Sequence, residues 1–276
     1  MGDRPAELLN AIASIRRQSV PPEQIIVVGN GCVLEPIEGV HIISLPENLG
    51  APGGRNAGAA AAVGDVLCFL DDDAELIGDS IAEQVLECFR ERSELGAVTL
   101  RIVDKDTNRT QRRHIPRLGS RGALRSGDVT VFLEGACAIR RSSFEMAEGY
   151  PEAFFYGMEG TDLAWRLIDQ GDSIHYLSEA MVHHPATAPA RHGQAFTLTA
   201  RNRVWLARRQ LPIVLQPLYV MVWTLLMLAR APSNRARRQV ISGLADGARL
   251  PAPPPVQRMS WRTVWRLTRL GRPPVI

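Results

Sequence analysis

Three consecutive aspartates, Asp71, Asp72 and Asp73, are the residues whose type and spacing point most directly to chemistry. They follow an apolar run, 66–70, that has the length of a strand buried on both faces. Adjacent carboxylates repel one another unless a cation lies among them, and oxygen ligands suit Mg²⁺ or Mn²⁺. In open α/β folds, ligands bind at the edge of the sheet where the carboxyl ends of the strands lie, and the aspartates follow such an end. The pattern predicts a metal-assisted site for an anion such as a phosphate; the alternative is a solvated acidic turn in which Asp73 caps a helix.

A glycine-rich segment, 48–58, precedes the aspartates and contains Arg55 near the start of a predicted helix. Glycines allow the backbone to approach a ligand closely. A guanidinium in this position could hold a diphosphate through two hydrogen bonds. The alternative is a glycine-rich loop that carries a surface arginine.

Further candidate residues follow in three segments. Glu134 precedes a run of small residues, which either leaves space for a substrate or reflects ordinary close helix–sheet packing. Glu159 and Asp162 share a helical face behind an aromatic loop, so one of them could act as a general base; alternatively, both complement the helix dipole. His183 and His184 offer imidazole ligands, although a structural histidine is the simpler interpretation.

The elements that must position these residues alternate between strand and helix. Apolar periodicity and turn residues predict helices at 6–19, 53–63, 79–92 and 159–170, and strands at 25–28, 40–45, 66–70, 97–103, 129–140 and 173–177. This alternation predicts an α/β fold with a mostly parallel sheet flanked by helices. Beyond residue 192 the strand pattern stops, and the chain is predicted to be helical.

Charge divides the chain into two parts. Residues 188–276 contain fifteen arginines and one acid, a net charge of +14, whereas residues 1–187 carry −11. We therefore expect two domains, 1–190 and 191–276, and a polyanionic partner for the second. An anionic membrane surface is favoured over nucleic acid because the first part is acidic.

The tail also contains an uncharged stretch of 19 residues, 211–229, close to the roughly 20 that span a bilayer. Trp261 and Trp265 stand among arginines, a pattern typical of an interfacial helix. Spanning, interfacial and buried arrangements stay open. Four cysteines without metal-ligand or redox spacing fit a reducing compartment. We expect a location at the cytoplasmic face of the plasma membrane.

The order of these motifs resembles family 2 glycosyltransferases of the GT-A fold, over about residues 3–210. It is similar to actinobacterial members, including rhamnosyltransferase-like ones. The resemblance implies inverting transfer of a sugar from a nucleotide-diphosphate sugar to a hydroxyl of a glycan or lipid-linked acceptor, assisted by Mg²⁺ or Mn²⁺. It places the metal at Asp71, Asp73 and His183 and the catalytic base at Glu159 or Asp162. The nucleotide side is lined by Asp3, Arg4, Asn48, Gly50, Arg55, Asn56, Asp71 and Asp72.

Three departures from the family pattern limit what the resemblance implies. The sequence begins at the turn after the family's first strand, so we expect that strand to be absent, with two sheet edges left unpaired. Gly29 replaces the acid that often contacts the nucleobase. Gly160 occupies the usual position of the base, so Glu159 is our first candidate. A nucleotidyltransferase and a catalytically impaired sugar-nucleotide-binding scaffold are the alternative functions.

Overall fold

The computed structural model describes residues 4–119, 122–185, 193–254 and 257–276. Its helices are α1 (Pro5–Arg16), α2 (Gly50–Ala61), α3 (Ile81–Glu91), α4 (Arg141–Met146), α5 (Glu159–Gln170), α6 (Ala195–Gln210), α7 (Gln216–Arg230), α8 (Asn234–Arg249) and α9 (Trp261–Arg269). Its strands are β1 (Ile26–Asn30), β2 (His41–Leu45), β3 (Val66–Leu70), β4 (Glu75–Ile77), β5 (Leu95–Val103), β6 (Gly127–Val129), β7 (Ala136–Arg140) and β8 (Ser173–His183). The predicted α/β class with a helical C-terminal region is confirmed.

Strand direction differs from the mostly parallel sheet that we expected. The larger sheet has the order β3-β7-β5-β8-β4, with β6 also paired to β8. Only β5 and β8 run parallel in it, and the other described pairs are antiparallel. Parallel neighbours are usually joined by a crossover helix, whereas the chain reaches β7 from β5 through the long segment 104–135. Strand β7 inserts between β3 and β5, antiparallel to both.

A second, two-stranded sheet consists of the parallel strands β1 and β2. Within the described residues, β1 pairs with β2 alone and β3 pairs with β7 alone. Each of these strands therefore has one edge without a strand partner in this part of the chain.

The predicted strand 129–140 is two strands, β6 and β7, separated by a turn at 130–135. The break lies where Gly135 passes the acidic turn: a Cβ at Gly135 would be 2.1 Å from Oδ2 of Asp71. The small residues of β7, Ala136 to Ala138, are buried between β3 and β5. Of the two interpretations of these small residues, the structure supports close helix–sheet packing, because Ala136 and Ala138 share an apolar core with α3.

The basic C-terminal helices pack against the rest of the chain. Trp205 of α6 and Leu267 of α9 belong to the same apolar core as Leu163 and Leu167 of α5. Asn202 of α6 is fully buried, and its Nδ2 donates to three carbonyls of the loop before α5, at 2.7 to 3.0 Å. The tail therefore positions that loop. The proposed domain boundary at 190 lies outside the described residues and stays a prediction.

Candidate active site

The acidic turn at the end of β3 brings two carboxylates to one imidazole. Nε2 of His184 lies 3.5 Å from Oδ2 of Asp71 and 3.4 Å from Oδ1 of Asp73. One ligand atom from each of the three residues falls within 4.8 Å of the others. The turn is held in place because the Asp71 N–H donates to the carbonyl of Gly135, at 3.1 Å. The arrangement offers two oxygen ligands and one nitrogen ligand to a divalent cation.

His184 lies beside the aspartates in the structure, whereas we expected His183 there. His183 is the last residue of β8 and pairs with Glu75 in the sheet. In this antiparallel register the residue after His183 lies beside Asp73, so the ring of His184 reaches the aspartates. His184 therefore replaces His183 in our candidate ligand set.

Two arginines offset the charge of the aspartates. Arg55 of α2 donates to Asp71 at 3.0 Å and to Glu134 at 2.9 Å. Burial alone would raise the pKa of Asp71, but the hydrogen bond with His184 and the charge of Arg55 outweigh it and lower that pKa to about 2. Arg55 thus lies beside the acidic turn, and its role in holding a diphosphate stays a prediction.

Arg4 is the second of these arginines. Its guanidinium donates to Asp72 at 2.7 Å and also to Asp73. The side chain of Asp72 is 38% exposed, whereas that of Asp73 is 7% exposed, so the two neighbours face different surroundings. Asp3, which we expected beside the nucleotide, lies outside the described residues.

Other residues expected near the nucleotide make contacts within the protein. Asn48 accepts the N–H of Gly50 at 2.9 Å, at the start of α2. Gly50 has φ +73°, and a Cβ there would lie 2.2 Å from the carbonyl oxygen of Phe155. Asn56 bonds to the backbone of Tyr150 in both directions, at 2.9 Å. These contacts join α2 to the loop before α5, so they shape the wall behind Arg55.

The two candidate bases on α5 are both buried. Asp162 is 0% exposed, and its carboxylate accepts from Arg166 at 2.8 Å and from Arg209 at 3.1 Å. Glu159 is 3% exposed. Burial and the neighbouring Glu134 hold the pKa of Glu159 well above its usual range, which favours the protonated form. The ion pairs give Asp162 a structural task, and we do not carry it forward as a base.

Two further residues complete the site: Glu134, which the sequence had flagged without a role, and His114, which it had not. Glu134 lies on the far side of Arg55 from Asp71, and its Oε1 accepts the N–H of Gly160 at 2.7 Å. His114 stacks edge-on against His184, with ring centroids 5.9 Å apart. Burial and the neighbouring Arg113 lower the pKa of His114 to about 4. Glu134 had a visible signal, an acid before a small-residue strand, whereas His114 had none.

Comparison with known proteins places this geometry in a family. The model of glycosyl transferase family 2 matches residues 3–146, more than half of the chain. No curated protein matches the sequence. Among solved structures, the chain is similar to TarS of S. aureus, with TM-score 0.61 and 13% identity over 91% of this chain and 48% of that one. It is also similar to GalNAc-T7 with UDP, GalNAc and Mn²⁺, with TM-score 0.62 and 13% identity over 88% of this chain and 52% of that one.

A third similar structure is the mannosyltransferase PcManGT from Pyrobaculum calidifontis, in complex with GDP-Man and Mn²⁺. Its TM-score is 0.59 at 15% identity, over 98% of this chain and 76% of that one. The chain spans about half the length of TarS and of GalNAc-T7. At these identities the structural neighbours establish the fold, and the sequence match establishes the family. The chain belongs to glycosyl transferase family 2.

Proposed function

We propose that this chain is an inverting glycosyltransferase that moves a sugar from a nucleotide-diphosphate sugar to a hydroxyl of a glycan or lipid-linked acceptor. The observation that carries the proposal is the meeting of Asp71, Asp73 and His184 at the end of β3, beside Arg55. Family membership supports sugar transfer. The ligands named for GalNAc-T7 and PcManGT, a nucleotide or nucleotide sugar with Mn²⁺, support a donor of this class.

The residues present suit a divalent cation. Two carboxylates and one imidazole place their ligand atoms close enough to share one ion, and Mg²⁺ or Mn²⁺ accepts such donors. Asp71, Asp73 and His184 would hold it. When bound, the metal would offset the negative charge that develops on the departing diphosphate.

The chain's own residues perform the remaining tasks. Arg55 is held between Asp71 and Glu134, so its charge is fixed beside the proposed diphosphate position. Arg4 bridges Asp72 and Asp73 and adds a second positive charge on the nucleotide side. A carboxylate must accept the proton of the attacking hydroxyl, because an alcohol is a weak nucleophile at neutral pH.

The deciding experiment is a product assay with the full chain. UDP-N-acetylglucosamine, GDP-mannose and a nucleotide-diphosphate rhamnose are each supplied with Mn²⁺ and a set of soluble glycoside acceptors. The rhamnose donor comes first because of the rhamnosyltransferase-like resemblance. Release of nucleoside diphosphate together with a new glycosidic bond of inverted configuration supports the proposal. Pyrophosphate release would indicate a nucleotidyltransferase, and binding without turnover would indicate a scaffold; either result refutes the proposal.

The metal site has its own test, Asp73→Asn. This change removes one ligand charge, and we expect loss of transfer and of Mn²⁺ dependence. The matched control is Asp79→Asn, because Asp79 is an acid whose side chain is 67% exposed on the loop before α3. Unchanged turnover in the Asp73 variant would refute the assignment.

We further propose that the tail holds the enzyme against the cytoplasmic membrane surface with α7 lying in the plane of the bilayer. The segment 213–230 has the length and apolar composition of a membrane span, with mean hydropathy 1.6 and 6% of it buried. On its inner side, however, the Tyr219 hydroxyl accepts from Arg203 of α6 at 2.9 Å. The guanidinium of Arg203 also lies 3.3 Å from the centre of the Trp223 ring. Spanning would carry these contacts into hydrocarbon, so an interfacial position fits better.

Charge and exposed apolar side chains support the same surface. The tail carries +14, and Trp261 and Trp265 of α9 are 52% and 61% exposed. We expect the chain to float with vesicles that contain phosphatidylglycerol more than with phosphatidylcholine alone. Alkaline carbonate should release it. Leu225→Glu should weaken flotation, whereas Leu124→Glu should not, because Leu124 is a similarly exposed leucine outside the tail. Resistance to carbonate would contradict the in-plane arrangement.

A further inference from the structure

A pair of carboxyl groups lies next to Arg55 and is not used by the proposed metal site. Glu134 belongs to the turn before β7, and Glu159 is the first residue of α5. The Glu134 side chain is 21% exposed, whereas Glu159 is 3% exposed. Within the described residues, Oε2 of Glu159 is buried with no donor in hydrogen-bond geometry, and its carboxyl interacts with that of Glu134. A buried carboxyl with an oxygen that receives no hydrogen bond is unfavourable as an anion, so Glu159 is poorly suited to exchange protons with a substrate.

Glu134 is held in one orientation by two donors. Its Oε1 accepts the N–H of Gly160 at 2.7 Å, and its Oε2 accepts from Arg55 at 2.9 Å. Each carboxylate oxygen has a second lone pair, so both remain able to accept a further proton or hydrogen bond. Because Arg55 also contacts Asp71, Glu134 is separated from the acidic turn by a single side chain.

Gly160 leaves the space that Glu134 occupies. A Cβ added at Gly160 would lie 2.1 Å from Oε1 of Glu134 and 2.4 Å from its Cδ and Cγ. No side chain fits at position 160 while Glu134 keeps this position. The carboxylate of Glu134 therefore lies where the first side-chain atom of a larger residue at position 160 would be.

We infer that Glu134 is the catalytic base of this chain and substitutes for a carboxylate at position 160. The inference rests on the proposed glycosyl transfer. In the step, the acceptor hydroxyl gives its proton to Glu134 as its oxygen forms a bond to the anomeric carbon. The bond from that carbon to the diphosphate oxygen breaks, and its electron pair leaves with the nucleoside diphosphate. Protonated Glu134 then releases its proton to water.

The first test compares Glu134→Gln with the unmodified chain, using the donor and acceptors that give transfer in the product assay. Loss of a general base lowers turnover about 10²- to 10⁴-fold. UDP and GDP with Mn²⁺ should still bind to this variant, as measured by calorimetry, because Asp71 continues to hold Arg55. Glu145→Gln is the matched control, since Glu145 is 63% exposed on α4. Glu159→Gln should lose less turnover than Glu134→Gln.

A second variant separates catalysis from structural support. Glu134→Ala alone should be inactive, and adding Gly160→Asp should restore part of the turnover, because the removed side chain frees the space for a new carboxylate. Wild-type turnover in Glu134→Gln would overturn the inference, as would a folded, donor-binding double variant no more active than Glu134→Ala. If the unmodified chain transfers no sugar, the proposed function fails instead, so the two failures are distinguishable.

Discussion

Replacing Asp162 by asparagine should destabilise the protein strongly. Asp162 is 0% exposed and bonds to Arg166 in its own helix and to Arg209 of α6. The side chains of these arginines are 8% and 7% exposed. Asp162→Asn keeps the size of the side chain but leaves two buried guanidinium groups without their counter-charge.

The size of the effect follows from burial. Removing one partner of a buried ion pair costs about 3–5 kcal/mol, because the remaining charge is desolvated without compensation. We expect the free energy of unfolding of Asp162→Asn, from urea titration, to fall by that amount. The matched control is Asp79→Asn: Asp79 lies 3.9 Å from Arg17, and both side chains are more than half exposed. Such a pair contributes about 0–1 kcal/mol.

If the free energy of unfolding of Asp162→Asn falls by less than about 1 kcal/mol, the reasoning is refuted, because a solvent-exposed ion pair already contributes that much. A variant that stays stable but loses sugar transfer would return Asp162 to the list of candidate bases. Nucleotide binding, measured at urea concentrations below the unfolding transition, shows whether the folded variant keeps its donor site. It therefore separates loss of a catalytic base from loss of structure.

Two further predictions concern the walls of the site, and a third concerns Asp128, which lies near the start of β8. Gly50→Ala should lower the thermal midpoint, with a cost of about 1–3 kcal/mol, because φ is +73° and the new Cβ would meet the carbonyl oxygen of Phe155; an unchanged midpoint would contradict this. Asn202→Ala removes an amide whose two N–H groups are shared among three carbonyls, each N–H contributing about 1 kcal/mol, and should speed amide exchange in the loop before α5; unchanged exchange there would count against that task. The hydrogen bond with His175, together with those from Arg92, holds the pKa of Asp128 below its usual range, so the contribution of Asp128 to stability is present above pH about 4 and lost as pH falls below it. Asp128→Asn should therefore flatten the acid side of the stability profile, and an equally steep profile in the variant would contradict the assignment.

The sequence predicted what depends on neighbours along the chain. The strand 66–70 and the helix 159–170 were placed within the structure's own bounds, because apolar periodicity and the following turn define each of them. Asp71 and Asp73 are close in the chain, so their shared position at a strand end needed no tertiary information. The direction of β7 and the split of the strand 129–140 depend on a long excursion whose path no local pattern records.

The histidine assignment required information about register. His183 and His184 are adjacent and chemically identical, and a strand sends successive side chains to opposite faces. Only the pairing of Glu75 with His183 shows which imidazole reaches Asp73. A one-residue difference in register would exchange the two rings, so sequence alone could not choose between them.

The interpretation of Gly160 changed for a related reason. In the sequence, a glycine where the family usually has an acid indicates a lost base. In the structure, the same glycine allows Glu134, 26 positions earlier, to bring a carboxylate against the first turn of α5. Neither residue predicts this alone, because the glycine gives only space and the acid gives only charge. What matters to a hydroxyl group is where a carboxylate oxygen lies, and two segments distant in sequence together determine that position.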